Sequence, residues 1–308
     1  MVENALTEML GIHHPLLLAP MGNVAGGELA AAVSGAGGLG LIGAGYGDRE
    51  WLARELDRCR IDAPFGVGFI TWSLARQPEL LDLALDRRPA AVMFSFGDPM
   101  PFVGRVHDAG ARVICQVQTV ADARRAVECG ADVIVAQGTE AGGHGAGRST
   151  LALVPAVVDA AGTVPVVAAG GIVDGRGTRA ALALGADGVL VGTRFIATPE
   201  ALAPESAKRR IVAAGGDDTV RTTVFDIVRG YSWPAPYTGR ALRNGFTERW
   251  HGREAELRDS LATEQAAYRE AVQRGDVDTA VVFAGEGVDG IHAVEPAAAV
   301  VEALVGGL

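Results

Sequence analysis

Short apolar runs of strand length recur along the first two thirds of the chain, each bounded by glycine or proline and separated by helix-length stretches. The runs are residues 16–19, 40–42, 65–70, 91–95, 112–117, 133–137, 164–169 and 188–191. Parallel strands covered by helices on their outer side read as continuous apolar runs. Eight such strands alternating with helices predict an α/β fold, a (β/α)8 TIM barrel. An open doubly wound sheet is the competing architecture, but eight units within residues 1–199 favour closure of the sheet.

Glycine marks the predicted joints between helix and strand. Gly110, Gly130 and Gly185 each follow a helix-like stretch and directly precede Ala and then a strand. Because glycine adopts the left-handed conformation without strain, it commonly ends helices. These glycines are predicted to serve the fold, and we assign no chemistry to them.

The composition of the chain argues against several classes of function. Hydrophobic residues make up 49% of the 308 residues and aromatic residues only 6%, which suits a core of Val, Leu, Ile and Ala. The formal charge of −10 and pI near 5.1 argue against nucleic acid as a partner, which requires a basic surface. Three cysteines without a CxxC pair indicate neither a zinc site nor a disulfide framework. We predict buried thiols, no bound metal and a cytoplasmic protein.

One segment has the composition of a membrane span. Residues 151–173 carry Asp159 as their single charged residue, and their length would cross a bilayer. However, Pro155, Gly162 and Pro165 divide the segment into a helix, a turn and a strand. The N-terminus also lacks the basic start of a signal peptide. We therefore expect no membrane association.

The character of the chain changes after the eighth strand. Residues 1–199 are predicted to form the barrel and residues 200–283 a helical extension on the substrate side, with helices near 206–214 and 253–274. An irregular aromatic segment, residues 231–237, lies between these helices. Residues 284–308 form a glycine-rich loop and a last helix over 295–305 that returns to the barrel. That loop either lines a pocket or simply connects elements.

Small residues follow the seventh and eighth predicted strands. Gly170 and Gly171 end the seventh strand, and Gly192 and Thr193 end the eighth. Without a Cβ in the way, backbone N–H groups can approach an anion closely. The loops after strands 7 and 8 are the recurrent phosphate site of this barrel. The sequence therefore predicts a phosphate site, to which Arg194 adds charge unless it forms an ion pair.

His144 follows the sixth strand within Gly142-Gly143-His144-Gly145. Its neighbours offer no packing surface, and they let a ligand approach the backbone. Histidine exchanges protons near neutral pH, so His144 is the candidate acid or base. The other five histidines lie before the first strand or in helical and surface-like contexts, where a solvated or satisfied imidazole is expected.

Three further loops offer groups to a ligand. Met21 and Gly22 follow the first strand, where a flexible thioether could lie under an aromatic cofactor or merely fill the core. Gln118 and Gln137 follow the fifth and sixth strands. An amide at a barrel mouth can hydrogen-bond the edge of a heterocycle or cap a strand toward solvent.

Four of these motifs, in this order, resemble the nitronate monooxygenases, formerly called 2-nitropropane dioxygenases. They are Ala-Pro-Met at 19–21, Gln-Gly-Thr-Glu-Ala-Gly-Gly-His-Gly at 137–145, Ala-Ala-Gly-Gly-Ile-Val-Asp-Gly-Arg-Gly at 168–177 and Gly-Thr-Arg-Phe at 192–195. The resemblance extends along most of the chain and includes Arg-Ala-Leu-Arg-Asn at 240–244.

The resemblance implies non-covalently bound FMN and a small-molecule substrate that is oxidised with O2. Met21 and Gly22 would contact the flavin ring, and Gln118 and Gln137 its polar edge or ribityl chain. Gly142, Gly170, Gly171, Gly192 and Thr193 would line the cofactor and hold its phosphate. His144 would be the general base that deprotonates neutral nitroalkanes, a step that alkyl nitronates do not need. A homodimer is compatible with the resemblance, but the sequence does not determine the oligomeric state.

The same motifs resemble a sister group, the FMN-dependent enoyl-acyl-carrier-protein reductases. The alternative function is therefore an NAD(P)H-dependent ene-reductase acting on an enoyl thioester or a related acyl substrate. One position departs from both groups. Gly68 stands in Phe-Gly-Val-Gly at 65–68, where both commonly have Asn in contact with flavin. That contact is then absent or comes from another residue, such as Thr71 or Asn23.

Overall fold

The computed structural model describes residues 4–308 as a barrel of parallel strands with a small second sheet at one end. The strands are β1 Leu16–Leu18, β2 Gly40–Gly43, β3 Phe65–Ile70, β4 Ala91–Ser95, β5 Arg112–Val117, β6 Val133–Gln137, β7 Gly143–Gly145, β8 Val166–Ala169, β9 Gly188–Val191, β10 Thr219–Thr222 and β11 Thr238–Leu242. The helices are α1 Ala5–Leu10, α2 Gly27–Gly35, α3 Arg49–Arg58, α4 Thr71–Leu74, α5 Glu79–Leu85, α6 Met100–Asp108, α7 Val120–Glu128, α8 Thr150–Ala161, α9 Gly175–Ala183, α10 Thr193–Ile196, α11 Glu205–Val212, α12 Val224–Arg229, α13 Gly245–Trp250, α14 Glu254–Asp259, α15 Leu261–Arg274 and α16 Ala297–Val305. Short 3₁₀ turns cover Gly216–Asp218 and Glu286–Gly290.

Eight parallel strands form the barrel, in the order β1-β9-β8-β6-β5-β4-β3-β2. A parallel bridge between Leu17 and Leu39 joins its two ends. Leu39 N–H donates to Leu16 O and Leu18 N–H donates to Leu39 O, each at 2.9 Å. Every predicted barrel strand has an observed counterpart with nearly the same bounds. The predicted (β/α)8 barrel is confirmed.

Side chains that alternate along the barrel strands form two apolar clusters, one inside the barrel and one on its outer side. Leu17, Met93 and Val135 belong to the cluster inside the barrel, together with Leu6 and Leu10 of α1. The residues beside them on the strands face outward and pack against the surrounding helices. Since successive side chains of a strand point to opposite faces, one short apolar run supplies both clusters. Helix α1 thus closes the amino-terminal end of the barrel and leaves the carboxyl-terminal end for ligands.

The helix-ending glycines behave as predicted. Gly110, Gly130 and Gly185 have φ of 77°, 90° and 92°, and each lies two residues after the last residue of a helix. This left-handed conformation ends α6, α7 and α9 just before β5, β6 and β9.

The segment after the barrel contains strands as well as helices. Strands β10 and β11 form an antiparallel sheet with β7, in which Gly239 of β11 pairs with His144 of β7. Only helices and an irregular segment are predicted here from the sequence, because these strands are four and five residues long and partly charged. The predicted helix over 253–274 is interrupted at Ser260, between α14 and α15. Residues 231–237 are irregular, as predicted.

The last helix lies against the barrel wall. Four apolar residues of α16 are buried in the outer cluster with α2 and α9, namely Ala297, Val300, Val301 and Leu304. The stretch with the composition of a membrane span divides into α8 and β8, joined at a turn. Among the helices of residues 4–308, none has both the length and the apolar character that crossing a bilayer requires.

The three cysteines are free thiols. Cys59 and Cys115 are buried, and burial raises the pKa of Cys115 to about 12 and that of Cys59 to about 11. A thiol that stays protonated is a poor nucleophile. The interpretation of Cys115 as a structural thiol is therefore supported, whereas Cys129, which was also expected to be buried, is partly exposed.

Gly40→Ala is expected to destabilise the barrel. A Cβ on Gly40 would lie 1.9 Å from the carbonyl oxygen of Ala30, so α2 would have to move off β2. Overpacking of this kind costs about 1–3 kcal/mol in unfolding free energy. Gly104→Ala in α6 is the control, because a Cβ there has no atom within 4 Å and should leave stability unchanged or slightly higher. Equal urea midpoints for the two variants would contradict this packing of α2 on β2.

Candidate active site

A cavity opens at the carboxyl-terminal ends of the barrel strands. Its floor comes from the ends of β1, β3, β4, β5, β6, β8 and β9, and its wall from the segment after the barrel. Arg229, Trp233 and Phe283 line this wall, and Gly285 and Gly287 of the glycine-rich loop complete it. That loop therefore lines the pocket and is not merely a connection. Functional groups of (β/α)8 enzymes collect at this end of the barrel.

The structure brings nearly all of the predicted site residues to this cavity. Those that line it are His144, Met21, Gly22, Gln137, Gly142, Gly170, Gly171, Gly192 and Thr193. Gln118 is outside the lining and is 3% exposed, and its Nε2 donates to Oε1 of Gln137 at 2.9 Å. Gln116 lines the cavity instead and donates to the same oxygen at 3.1 Å. Gln118 thus holds Gln137 in place from behind.

The glycines after β8 and β9 form a cradle of exposed backbone. Gly170 and Gly171 have φ of 112° and 74°, which side chains with a Cβ rarely adopt. Within residues 4–308, the N–H groups of Gly171 and Gly192 donate to no backbone or side-chain acceptor. Thr193 Oγ1 accepts a hydrogen bond from Gly285 N–H at 3.0 Å, which fixes the glycine-rich loop beside the cradle. This arrangement fits the phosphate of a cofactor.

Arg194 contributes to the fold here. Its guanidinium pairs with the carboxylate of Glu295, and Arg194 is 5% exposed and outside the cavity lining. Of the two alternatives for Arg194, the structure selects the ion pair, which connects α10 to the start of the last helix.

Two arginines fix the loop that carries His144. Arg221 donates from Nη1 to Thr238 O at 2.7 Å and to Gly145 O at 3.3 Å, and from Nε to Thr139 Oγ1 at 2.9 Å. Arg240 donates from Nε to Thr139 O at 2.9 Å. Burial lowers the pKa of Arg221 to about 10. The glycines around His144 are thus held in a sheet by fixed hydrogen bonds.

His144 is buried and paired with a carboxylate. It is 8% exposed, and its Nε2 lies 3.0 Å from both carboxylate oxygens of Asp226 on α12. Its ring stacks on Trp233, with centroids 3.5 Å apart and planes inclined by 6°. A histidine whose neighbours are glycines therefore packs against residues distant in sequence.

Burial lowers the pKa of His144 below its ordinary 6.5, although the hydrogen bond to Asp226 acts in the opposite direction. The imidazole is then neutral at neutral pH and can accept a proton. With Nε2–H donated to the carboxylate, the lone pair lies on Nδ1. The carboxylate also stabilises the imidazolium that proton transfer would form.

Aromatic side chains cover His144. Trp233 Nε1 donates to Tyr46 Oη at 3.0 Å, and Tyr46 stacks on Tyr231 with centroids 3.8 Å apart. Phe96 lies edge-on to Trp233 at 5.0 Å and has φ of 63°, a strained value for an aromatic residue. Burial raises the pKa of Tyr46 to about 12, so its hydroxyl stays protonated. This cluster excludes water from the imidazole.

The residue at position 68 leaves no room for the Asn of the resembling families. A Cβ on Gly68 would lie 2.3 Å from both Cβ and Cγ of Pro20. Of the two suggested substitutes, Asn23 lines the cavity, whereas the buried Thr71 does not. The Thr71 hydroxyl has no hydrogen-bond partner among the described residues.

Sequence reasoning missed Asp226, Arg229 and Gln116. Asp226 and Arg229 lie in Val-Phe-Asp-Ile-Val-Arg at 224–229, which reads as an ordinary amphipathic helix. Gln116 could have been found from the sequence. It lies two residues after Ile114 on β5, so its side chain also points into the barrel, and it is near the carboxyl-terminal end of that strand. No local pattern connects Asp226 to His144, which is 82 residues earlier.

Asp226→Asn is expected to lower the pKa of His144 and to shift the pH dependence of any step in which this imidazole accepts a proton. Asp226 raises the pKa of His144 against the effect of burial, so removal of its charge lowers that pKa further. Because such a step uses the neutral imidazole, the acid limb of its pH profile moves to lower pH. The plateau should fall about 10- to 100-fold, the value of a hydrogen bond to a charged group.

Asp132→Asn is the matched control for this variant. Asp132 lies 2.9 Å from Nε2 of the exposed His107, on the outside of the barrel. It should leave the pH profile unchanged. An acid limb that stays in place or moves upward in Asp226→Asn would show that Asp226 does not raise the pKa of His144.

The sequence and fold match known proteins over nearly the whole chain. The profile of the nitronate monooxygenase family matches residues 3–79 and 70–307. A nitronate monooxygenase of Neurospora crassa is 35% identical over 94% of this chain and 87% of its own length. A (3aS,4S,5R,7aS)-5-hydroxy-7a-methyl-1-oxo-octahydro-1H-indene-4-carboxyl-CoA dehydrogenase of Mycobacterium tuberculosis is 40% identical over 73% of this chain. The matched region spans 64% of the length of that relative.

Two solved structures share the complete fold. FabK of Thermotoga maritima superposes with a TM-score of 0.88 at 33% identity, covering 99% of this chain and 96% of its own. A nitroalkane oxidase of Streptomyces ansochromogenes superposes with a TM-score of 0.82 at 32% identity, covering 98% and 96%. Together with the match of the family profile to nearly all residues, these likenesses show that the chain belongs to the nitronate monooxygenase family.

Proposed function

We propose that this chain binds FMN and oxidises alkyl nitronates and nitroalkanes with O2, with His144 as the general base. The observation that carries the proposal is the buried pair of His144 and Asp226 at a cavity whose far side is a glycine cradle. The nitronate monooxygenase of N. crassa and the nitroalkane oxidase of S. ansochromogenes support this substrate class.

The residues at the cavity fit FMN. The cradle of Gly171, Gly192 and Thr193 would hold its phosphate, and Gly142 allows close approach from the loop that carries His144. Met21 offers an apolar surface to the ring, and Gln137 offers an amide to its polar edge. When bound, FMN supplies the acceptor for electrons of the nitronate and their donor to O2.

The residues of the chain supply the proton chemistry. For a neutral nitroalkane, Nδ1 of His144 takes the proton from the carbon that bears the nitro group. Asp226 then holds the imidazolium through Nε2. The aromatic cluster around Trp233 keeps water away, which strengthens these interactions. An alkyl nitronate has already lost this proton and bypasses the step.

A second candidate is an NAD(P)H-dependent ene-reductase acting on an enoyl thioester or a related acyl substrate. The specific observation in its favour is the likeness to the CoA dehydrogenase of M. tuberculosis and to FabK, an enoyl-acyl-carrier-protein reductase. In that reaction a buried, neutral imidazole near the substrate would serve as a proton donor only after it had been protonated.

The test is an anaerobic titration of the FMN-loaded protein, with NAD(P)H in one sample and ethyl nitronate in another. We expect loss of visible flavin absorbance with nitronate and none with NAD(P)H, and release of acetaldehyde when air is admitted. Bleaching by NAD(P)H alone would replace the proposal by the reductase. Failure of the protein to take up FMN would overturn both.

Three sequence-based expectations stay predictions that this proposal includes. They are a cytoplasmic location, use of O2 as co-substrate and assembly as a homodimer.

A further inference from the structure

Arg229 is a half-buried cation without an ionic partner among the described residues. It ends α12 and lines the cavity, and within residues 4–308 it forms no salt bridge and no side-chain hydrogen bond. Its Nη1 is fully buried. Its guanidinium carbon lies 4.8 Å from the ring centroid of Tyr231, 5.7 Å from that of Tyr46 and 5.8 Å from that of Phe283. Three aromatic rings thus flank the charge.

The charged side chain at the cavity is positive, whereas the chain as a whole is negative. The chain has a formal net charge of −10, yet Arg229 is the only Arg, Lys, Asp or Glu among the described residues that line the cavity. Removing part of the hydration of an ion without supplying an ionic partner costs free energy. A cation at this position in the cavity is suited to pair with an anionic group of the ligand.

The helix that carries Arg229 also carries the partner of the base. Asp226 and Arg229 are three residues apart and therefore lie on one side of α12. Asp226 bonds to His144, and Phe283 lies between the two sites, with its ring centroid 5.5 Å from that of His144. The guanidinium and the imidazole therefore both lie near the ring of Phe283, within the aromatic cluster.

We propose that Arg229 binds the planar, two-oxygen anionic head of the substrate beside His144. The inference rests on the proposed function and specifies its substrate as an anion, with a nitronate as the reacting species. A guanidinium matches two oxygens of a planar anion with paired N–H donors. In a neutral nitroalkane, the C–H bond breaks, its proton goes to His144, and its electron pair moves onto the nitro oxygens beside Arg229. The same contact then stabilises the charge that develops during proton transfer.

The phosphate of FMN is the competing anion. The cradle for it lies on the loops after β8 and β9, at Gly171 and Gly192, and the ring partners of Arg229 belong to other segments. Arg229 is accordingly assigned to the substrate, and the FMN content of its variants tests that assignment.

The experiment measures binding of two inert probes to the FMN-loaded protein. Propionate has the charge and the planar two-oxygen head of a small nitronate, and propionamide has nearly the same shape without the charge. Calorimetry should show that the wild type prefers propionate. Arg229→Met should weaken propionate about 10- to 100-fold and leave propionamide unchanged, and Arg229→Lys should lie between. The KM for ethyl nitronate should rise by the same factor.

Arg76→Met is the control. Arg76 is an exposed arginine whose guanidinium carbon lies 5.0 Å from the ring centroid of Trp72, and it is outside the cavity lining. This variant should bind both probes as the wild type does. Urea midpoints and FMN content of all variants show whether they fold and load alike.

Three other outcomes overturn the assignment of Arg229 to the substrate, and a fourth overturns only the proposed function. Failure of the wild type to prefer propionate, or equal weakening of both probes in Arg229→Met, removes the anion site. Loss of FMN from Arg229→Met and Arg229→Lys variants that still fold would show that the guanidinium binds the cofactor. Selective loss of propionate in a protein that never oxidises nitronates would retain the anion site and overturn the proposed function alone.

Discussion

His144→Ala is expected to lower kcat/KM for neutral nitroethane by about 10²- to 10⁴-fold, the usual contribution of a general base. The imidazole is buried, is held by Asp226 through Nε2, and has a pKa lowered by burial, so it is neutral and ready to accept a proton. Activity on pre-formed ethyl nitronate should fall far less, because that substrate has already lost the proton. Steady-state rates on both substrates, at equal FMN content, measure the difference.

Comparing the two substrates distinguishes loss of the base from a general disturbance of the site. Removal of the imidazole also removes the ring on which Trp233 stacks, so part of the aromatic cluster could shift. His144→Phe keeps a flat ring against Trp233 without a proton acceptor, and it should show the same selective loss. Equal loss on nitroethane and ethyl nitronate in both variants would show that His144 positions substrate or flavin and is not the base.

Gly171→Val is expected to weaken FMN binding about 10- to 100-fold. Gly171 has φ of 74°, which a β-branched residue adopts only with strain, and its added Cβ would lie 3.3 Å from Cβ of Glu140. The loop after β8 would have to change conformation and withdraw its N–H groups from the phosphate. A charge-assisted hydrogen bond contributes about 1.5–3 kcal/mol, so the loss of one accounts for a change of this size. Quenching of FMN fluorescence on titration measures the affinity.

Gly162→Val separates strain from the loss of a binding site. Gly162 has φ of 65°, and no atom would lie within 4 Å of an added Cβ, but it follows α8 away from the cavity. It should show a similar loss of stability and unchanged FMN affinity. If the two variants bind FMN equally well, the cradle after β8 and β9 does not hold the phosphate.

The barrel was predictable because its signals are local. Each buried strand is a continuous apolar run, and each helix before β5, β6 and β9 ends on a glycine that adopts a left-handed conformation. The position of the glycine cradle at the cavity was predictable for the same reason, since Gly170, Gly171, Gly192 and Thr193 directly follow strands whose carboxyl ends meet. The short strands β10 and β11 were not predictable, because they are polar and their partner is the glycine-flanked β7.

By itself the sequence determined the barrel, the end of it that carries the site, and His144 as the marker of that site. The tertiary structure alone decided what surrounds His144. It placed Asp226 on Nε2, Trp233 on the ring face and an unpaired Arg229 nearby. The physical reason is the separation along the chain over which each interaction acts. Strand and turn signals act between neighbours in the chain, whereas burial, charge pairing and ring stacking depend on residues that only folding brings together.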